Sequence, residues 1–221
     1  MFVHSLSEHK RVYGGYMKLL VVSGSQRELS QSAKVGQFIA AQSKQFASVN
    51  HIELCKFDLP FWDGESETKK ETVAGWSYIE KLVRQADALV LITPEWGGMV
   101  TPILKNFLLL CDAQDTGHKP ALLVSVVSGI SGAYPISELR MNSLKNNKIV
   151  AVPDHLIVRD VNEVLNPITS QPRLSRRDRN IRDRIDYSIH MLYQYALALF
   201  KVREARKNQP FPKQQEYCYG M

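Results

Sequence analysis

The chain is short of residues that would staple it, anchor it or load it with metal. Three cysteines, Cys55, Cys111 and Cys218, are scattered over 221 residues with no C-x-x-C pair. That excludes a disulfide framework and a cysteine-rich zinc site, and it fits a reducing, cytoplasmic setting. Six histidines form no H-E-x-x-H pattern, so no metal site is expected. No apolar run reaches the roughly 18–20 residues that a bilayer span needs. The opening M-F-V-H-S-L-S-E-H-K-R lacks the apolar stretch of a secretory signal. Two phosphate-binding glycine patterns are missing as well: neither G-x-x-x-x-G-K-[ST] nor G-x-G-x-x-G occurs. There is no internal repeat and no low-complexity segment.

Charge is unevenly spread. Twenty-eight basic residues against 22 acidic ones give a net charge of +6. Much of the excess lies in residues 173–184, where six arginines meet two aspartates. A basic stripe reads either as a nucleic-acid footprint or as a solvated helix face that attracts anions. No aromatic interleaving or recognition-helix motif accompanies it, so nucleic acid is the weaker reading.

The length suits one well-buried domain. Residues 1–16 show no periodicity and read as a tail. The domain is expected over 17–207. Residues 208–221, with Pro210 and Pro212, read as a second tail. Apolar runs predict strands at Lys18–Ser23 and at 49–55, 88–93, 121–127 and 148–152. Helical spacing predicts helices over 30–46, around Trp76, Ile79, Leu82, Val83 and Ala86, and over 102–111, 136–145 and 176–203. The last carries one apolar stripe: Ile181, Ile185, Ile189, Leu192, Ala196 and Leu199. Five strands alternating with helices imply an α/β three-layer sandwich around a parallel sheet. With strand order 2-1-3-4-5, strands one and three flank the switch point, where ligands of open parallel sheets bind.

Three loops then fall on one edge of the sheet. After strand one comes S-G-S-Q-R-E-L-S-Q-S, with hydroxyls at Ser25, Ser30 and Ser32 and a guanidinium at Arg27. A helix amino end with such donors attracts a phosphate; an ordinary loop with a capping serine reads the same way. After strand three comes T-P-E-W-G-G-M-V-T-P. Gly97 and Gly98 let backbone approach a flat ring, and Trp96 can pack on an aromatic system or in a core. Glu95 is open between a backbone bond and a partner-subunit contact. After strand four come Ser128 and Gly129, a glycine-rich turn or a ligand contact.

Taken together, G-S-Q-R-E-L-S-Q-S and L-I-T-P-E-W-G-G-M-V-T-P-I-L-K-N resemble the NADPH-dependent FMN reductase family. That group includes flavodoxin-like quinone, azo-dye and chromate reductases. Its patterns are G-S-x-R-x-x-S-x-N and T-P-E-Y-N-x-S-x-P-x-x-L-K-N. The resemblance runs from about residue 17 to residue 153, with Thr93-Pro94-Glu95, Pro102 and Leu104-Lys105-Asn106 in register. It implies a flavodoxin-like fold whose FMN phosphate meets Ser25, Arg27 and Ser30, with Ser32 where the family has asparagine. It implies Pro94, Glu95, Trp96 and Gly97 along the ring and ribityl chain, with Trp96 replacing tyrosine and Gly97 asparagine. Ser128 and Gly129 complete the other side. The implied activity is electron transfer from NADPH or NADH through FMN to a small-molecule acceptor, with no catalytic side chain required. The implied assembly is a homodimer or homotetramer, with the apolar residues at 107–110 and Trp62 available for the interface. A flavodoxin-type electron carrier and a flavin-free basic scaffold are the alternatives.

Overall fold

The computed structural model describes residues 16–65, 67–71, 75–168 and 173–217. Of the expected amino-terminal tail, Tyr16 alone is among them, and Cys218 lies outside them. Five strands form one sheet: β1 (Lys18–Ser23), β2 (Ser48–Glu53), β3 (Ala88–Pro94), β4 (Pro120–Val126) and β5 (Val150–Val158). All neighbouring pairs are parallel, in the order β2-β1-β3-β4-β5, as the sequence predicts.

The inner strands are apolar nearly throughout because helices cover both faces. Leu19 and Val21 of β1 and Val90 and Ile92 of β3 face one core. Over it lie α1 (Gln31–Gln42) and the last helix, α7 (Arg176–Asn208). Leu20, Val22, Leu89 and Leu91 face the other core. There they meet α3 (Gly75–Gln85), α4 (Pro102–Leu110) and α6 (Ala133–Asn142). Two single-turn helices, α2 (Thr68–Glu71) and α5 (Ala113–Thr116), complete the set. None of the described helices is long and apolar enough to cross a membrane.

Four elements differ from expectation by three residues or more, among them α6, which lies three residues earlier than the expected 136–145. Helix α1 stops at Gln42 rather than near 46: Ser43 leaves the helical conformation, its N–H turns to Ala40 O at 3.3 Å, and its Oγ takes the Ile39 carbonyl at 2.7 Å. Phe46 then turns into the core, edge-on to Tyr193 at 5.2 Å. Helix α7 runs 33 residues and ends at Asn208 rather than 203. Strand β5 continues to Val158 through Pro153, where a proline reads as a terminator. Its register slips between Ala121↔Ala151 and Leu123↔His155, so Val152, Pro153 and Asp154 bulge out of the pairing. Arg140 Nη2 donates to the carbonyls of Val152 and Pro153 at 2.6 and 3.0 Å.

Three of the six arginines in the arginine-rich stretch form ion pairs within the molecule. Arg177 pairs with Asp160 at 2.5 Å, Arg182 with Asp178 at 2.9 Å and Arg184 with Asp154 at 2.5 Å. In the 107–110 run, Phe107, Leu108 and Leu110 are buried in the core and Leu109 is exposed. Those three side chains are therefore not available to an interface.

Candidate functional site

The three loops at the carboxyl ends of β1, β3 and β4 converge on one cleft of about 430 Å³. Of the expected site residues, Ser25, Arg27, Ser30, Ser32, Pro94, Glu95, Trp96, Ser128 and Gly129 line it. Gly97 does not; it sits in the adjacent turn. Glu28, Leu29, Gln31, Val126, Val127, Ser131 and Val161 also line it, though the motifs do not single them out.

The first loop leaves the sheet in close contact with its neighbours. Gly24 N–H donates to Ile92 O at 2.8 Å, and a Cβ there would lie 2.8 Å from Leu104 Cβ and 2.9 Å from Ile92 O. Only glycine allows that approach. Thr101 Oγ1 donates to Gly24 O, which fastens the first loop to the second. The buried Ser25 accepts the Arg27 N–H at 3.1 Å. Ser30 is the N-cap of α1: its Oγ accepts the Ala33 N–H at 3.1 Å. The first N–H groups of a helix have no intrahelical partners, which leaves those of Gln31 and Ser32 at the cleft. Ser32 is 1 % exposed, and its Oγ has no hydrogen-bond partner. A buried hydroxyl without a partner beside two such N–H groups is a donor set that suits a phosphate oxygen.

This helix end is fixed from behind. Ser23 Oγ donates to Ser32 O at 3.1 Å. Its proton is thereby committed, so the 2.8 Å contact with His51 Nε2 has the imidazole donating. That requires the Nε2–H tautomer, and a neutral ring agrees with the direction of the pKa, which burial pushes below the usual histidine value.

The second loop is a tight reversal. Trp96 and Met99 exchange backbone hydrogen bonds at 3.3 and 3.0 Å. Gly97 and Gly98 between them hold φ of +58° and +80°, the pairing of a two-residue I′ turn that side chains resist. The Arg27 guanidinium lies over the Trp96 ring, 5.1 Å from its centre. Ser131 Oγ donates to Glu95 Oε2, so Glu95 ties the second loop to the third. The L-K-N part of the motif works away from the cleft. Lys105 pairs with Glu138, whose Oε2 accepts the Val100 N–H at 2.7 Å. Asn106 accepts from Trp62 N–H at 2.9 Å and donates to Pro60 O at 2.8 Å.

Similarity to known proteins agrees with this geometry. The family model described as NADPH-dependent FMN reductase matches residues 17–163. An NADPH azoreductase of Bacillus sp. (strain OY1-2) is 29% identical over 142 residues, 64% of this chain and 76% of the relative. An FMN-dependent NADPH-azoreductase of Staphylococcus saprophyticus is 30% identical over 156 residues, 65% and 78% of the two chains. A quinone reductase of Pseudomonas putida is 29% identical over 136 residues, 56% and 67%. Among solved structures, the flavoenzyme NAD(P)H:(acceptor) oxidoreductase of Paracoccus denitrificans superposes with a TM-score of 0.61 at 16% identity, covering 81% of this chain and 97% of its own. An oxidoreductase of Corynebacterium diphtheriae gives 0.64 at 15% identity, covering 83% and 98%. At these identities the two structures speak for the fold.

Proposed function

The chain belongs to the NADPH-dependent FMN reductase family, and on that premise we propose that its three-loop cleft binds FMN and that NAD(P)H reduces a quinone or azo acceptor there. The observation that supports this most directly is Ser32 Oγ, a buried, unpartnered hydroxyl at the amino end of α1. Bound FMN supplies the two-electron relay between nicotinamide and acceptor. The protein's own work is to bind and orient. Ser25, Arg27, Ser30, Ser32 and the α1 amino end offer hydrogen bonds and positive charge to the phosphate. Pro94, Glu95, Trp96 and the Gly97-Gly98 turn bound the ring side, where glycine keeps the backbone approachable. Ser128 and Gly129 bound the opposite side. The Glu95–Ser131 and Thr101–Gly24 bonds hold the loops at a fixed spacing. No side-chain acid, base or nucleophile is required.

The reading extends to a homodimer or homotetramer in the cytoplasm. Exposed Leu109 and Met141 on α4 and α6, with Phe61, supply apolar surface for a subunit contact, and a reducing compartment keeps Cys55 and Cys111 as free thiols. The test is a visible spectrum of the purified protein with and without added FMN, followed by NAD(P)H consumption with a quinone. Flavin absorbance with steady turnover is expected. Absence of micromolar FMN binding overturns the reading, and binding without turnover makes the protein a carrier. A monomer by light scattering at micromolar concentration removes the assembly.

A further inference from the structure

The segment after β5, residues 159–166, belongs to none of the motifs, yet it reaches the cleft through Val161. It lies along the loop that follows β4 and takes that loop's carbonyls. Val161 N–H donates to Val127 O at 3.2 Å and Asp160 N–H to Gly129 O at 3.3 Å. Arg159 Nε donates to Ile130 O at 2.6 Å and to Ser131 O at 2.9 Å. A trans peptide holds its C=O and N–H on opposite sides. Each carbonyl turned towards the segment therefore turns the next N–H away from it, at Ser128, Ile130, Ser131 and Gly132. Ser128 and Ser131 line the cleft.

Something must hold the segment itself, because Asp160 and Leu165 sit at φ of 48° and 59° without being glycine. Three charged side chains do so. Lys34, in the first turns of α1, uses all three ammonium donors: Val161 O at 2.6 Å, Val164 O at 2.9 Å and Asn166 Oδ1 at 2.9 Å. Asp178 of α7 is fully buried. Its Oδ1 accepts from Leu165 N–H and from Arg182 Nε, both at 2.9 Å. Arg182 Nη2 donates to Asn166 O at 2.9 Å, and the guanidinium lies 4.8 Å from the centre of the Phe38 ring. Burying such charges is a poor way to gain stability, since apolar residues pack there as well or better. What the arrangement does give is direction: Lys34, Asp178 and Arg182 all bond to the backbone of 161–166 or to the Asn166 side chain.

We propose that Lys34, Asp178 and Arg182 are positioning residues: they fix the 159–166 segment, and through it the amides of the 128–132 loop that meet the flavin. The proposal rests on the flavin reading above. It assigns a role to the amino end of α7 that the resemblance does not supply, and it makes the strength of flavin binding depend on residues that touch no flavin.

Asp178→Asn tests it in the full chain. The amide carries no charge and turns an NH2 donor towards Arg182 Nη2 in place of Oδ2, so the two-point ion pair is lost even though Oδ1 can still accept from Leu165 N–H. In flavin-free protein, hydrogen–deuterium exchange at 127–132 is expected to rise about tenfold, with β3 unchanged. The FMN Kd is expected to rise about tenfold, the worth of one ordered charged contact. Long-range attraction alone predicts the opposite sign, because removing a negative charge strengthens phosphate binding. Leu192→Ala, a truncation in the apolar stripe of α7, controls for general destabilisation. It is expected to lower the melting temperature while leaving both loop exchange and Kd as in the wild type. Unchanged exchange at 127–132 in Asp178→Asn overturns the proposal, and so does tighter FMN binding. Equal loosening in Leu192→Ala overturns it as well. A wild-type chain that binds no FMN defeats the flavin reading and the affinity half, while the exchange measurement still judges the loop half.

Discussion

Removing the Arg27 side chain probes the cleft at the point where two of its loops meet. In the free protein the guanidinium stacks over Trp96 at 5.1 Å, an exposed cation–π contact worth about 0.5–1 kcal/mol. A charged hydrogen bond to phosphate is worth about 1.5–3 kcal/mol. If the guanidinium leaves the indole to meet the phosphate, its contribution to binding is the difference, about 0.5–2.5 kcal/mol. Arg27→Ala should then raise the FMN Kd about 2- to 70-fold. The backbone bond from residue 27 to Ser25 Oγ survives the substitution, so the loop keeps its shape. The assay is titration of flavin fluorescence, run with FMN and with riboflavin, which has the same ring and no phosphate. Riboflavin affinity should stay within about twofold. Raising the salt should narrow the gap between wild type and variant for FMN, because Arg27 is exposed. An equal loss for both flavins refutes the reasoning, since it marks a damaged loop rather than a missing phosphate contact. No loss for FMN refutes it too.

Ser32→Ala removes a hydroxyl that has no partner in the free protein, so the melting temperature should hardly change while the FMN Kd rises about 2- to 13-fold, the worth of one neutral hydrogen bond. A lowered melting temperature with unchanged affinity assigns that hydroxyl to the fold instead. Acidification should destabilise the fold through the histidine range. Burial lowers the pKa of His51, His118 and His155 in the folded chain, so the unfolded chain binds more protons below its own value of about 6.5. The stability they provide is therefore complete above that pH and is lost as pH falls towards their folded values. Melting curves from pH 7.5 down to about 5.5 measure this, and a level or rising melting temperature over that interval contradicts it.

The sheet was legible because its inner strands are buried on both faces. Ala88–Pro94 and Pro120–Val126 are apolar at every position but Thr93 and Ser125, and short runs of that kind between turn residues read as covered parallel strands. The first two loops were legible for a related reason: a glycine forced by Ile92 O and Leu104, and paired glycines at positive φ, leave signatures in sequence. The end of α1 and the course of β5 were not. A serine that bonds back four residues looks like any helical serine. Pro153 looks like a stop until Arg140, on the preceding helix α6, takes the carbonyls of the bulge. The 159–166 segment escaped for the same cause. Its conformation is dictated by Lys34, Asp178 and Arg182, partners up to 132 residues distant, and local pattern carries no trace of such contacts. The arginine stretch reads in sequence as a solvated helix face rather than a nucleic-acid footprint, but charge counted along the chain does not reveal which guanidinium groups are paired.

The bulge in β5 has a consequence for how copies of this chain can meet. An edge strand with free N–H and C=O groups invites a neighbouring molecule to add its own strand, and runs of such additions end in aggregates. Here the edge strand β5 is interrupted in mid-course: Pro153 has no N–H to give, and the carbonyls of Val152 and Pro153 are already occupied by Arg140. A strand added from another molecule would find no unbroken ladder of backbone groups along β5, which favours assembly on that side through side chains on the helices. One arginine of α6 thus helps decide whether a crowded solution of this protein holds discrete oligomers or growing ribbons.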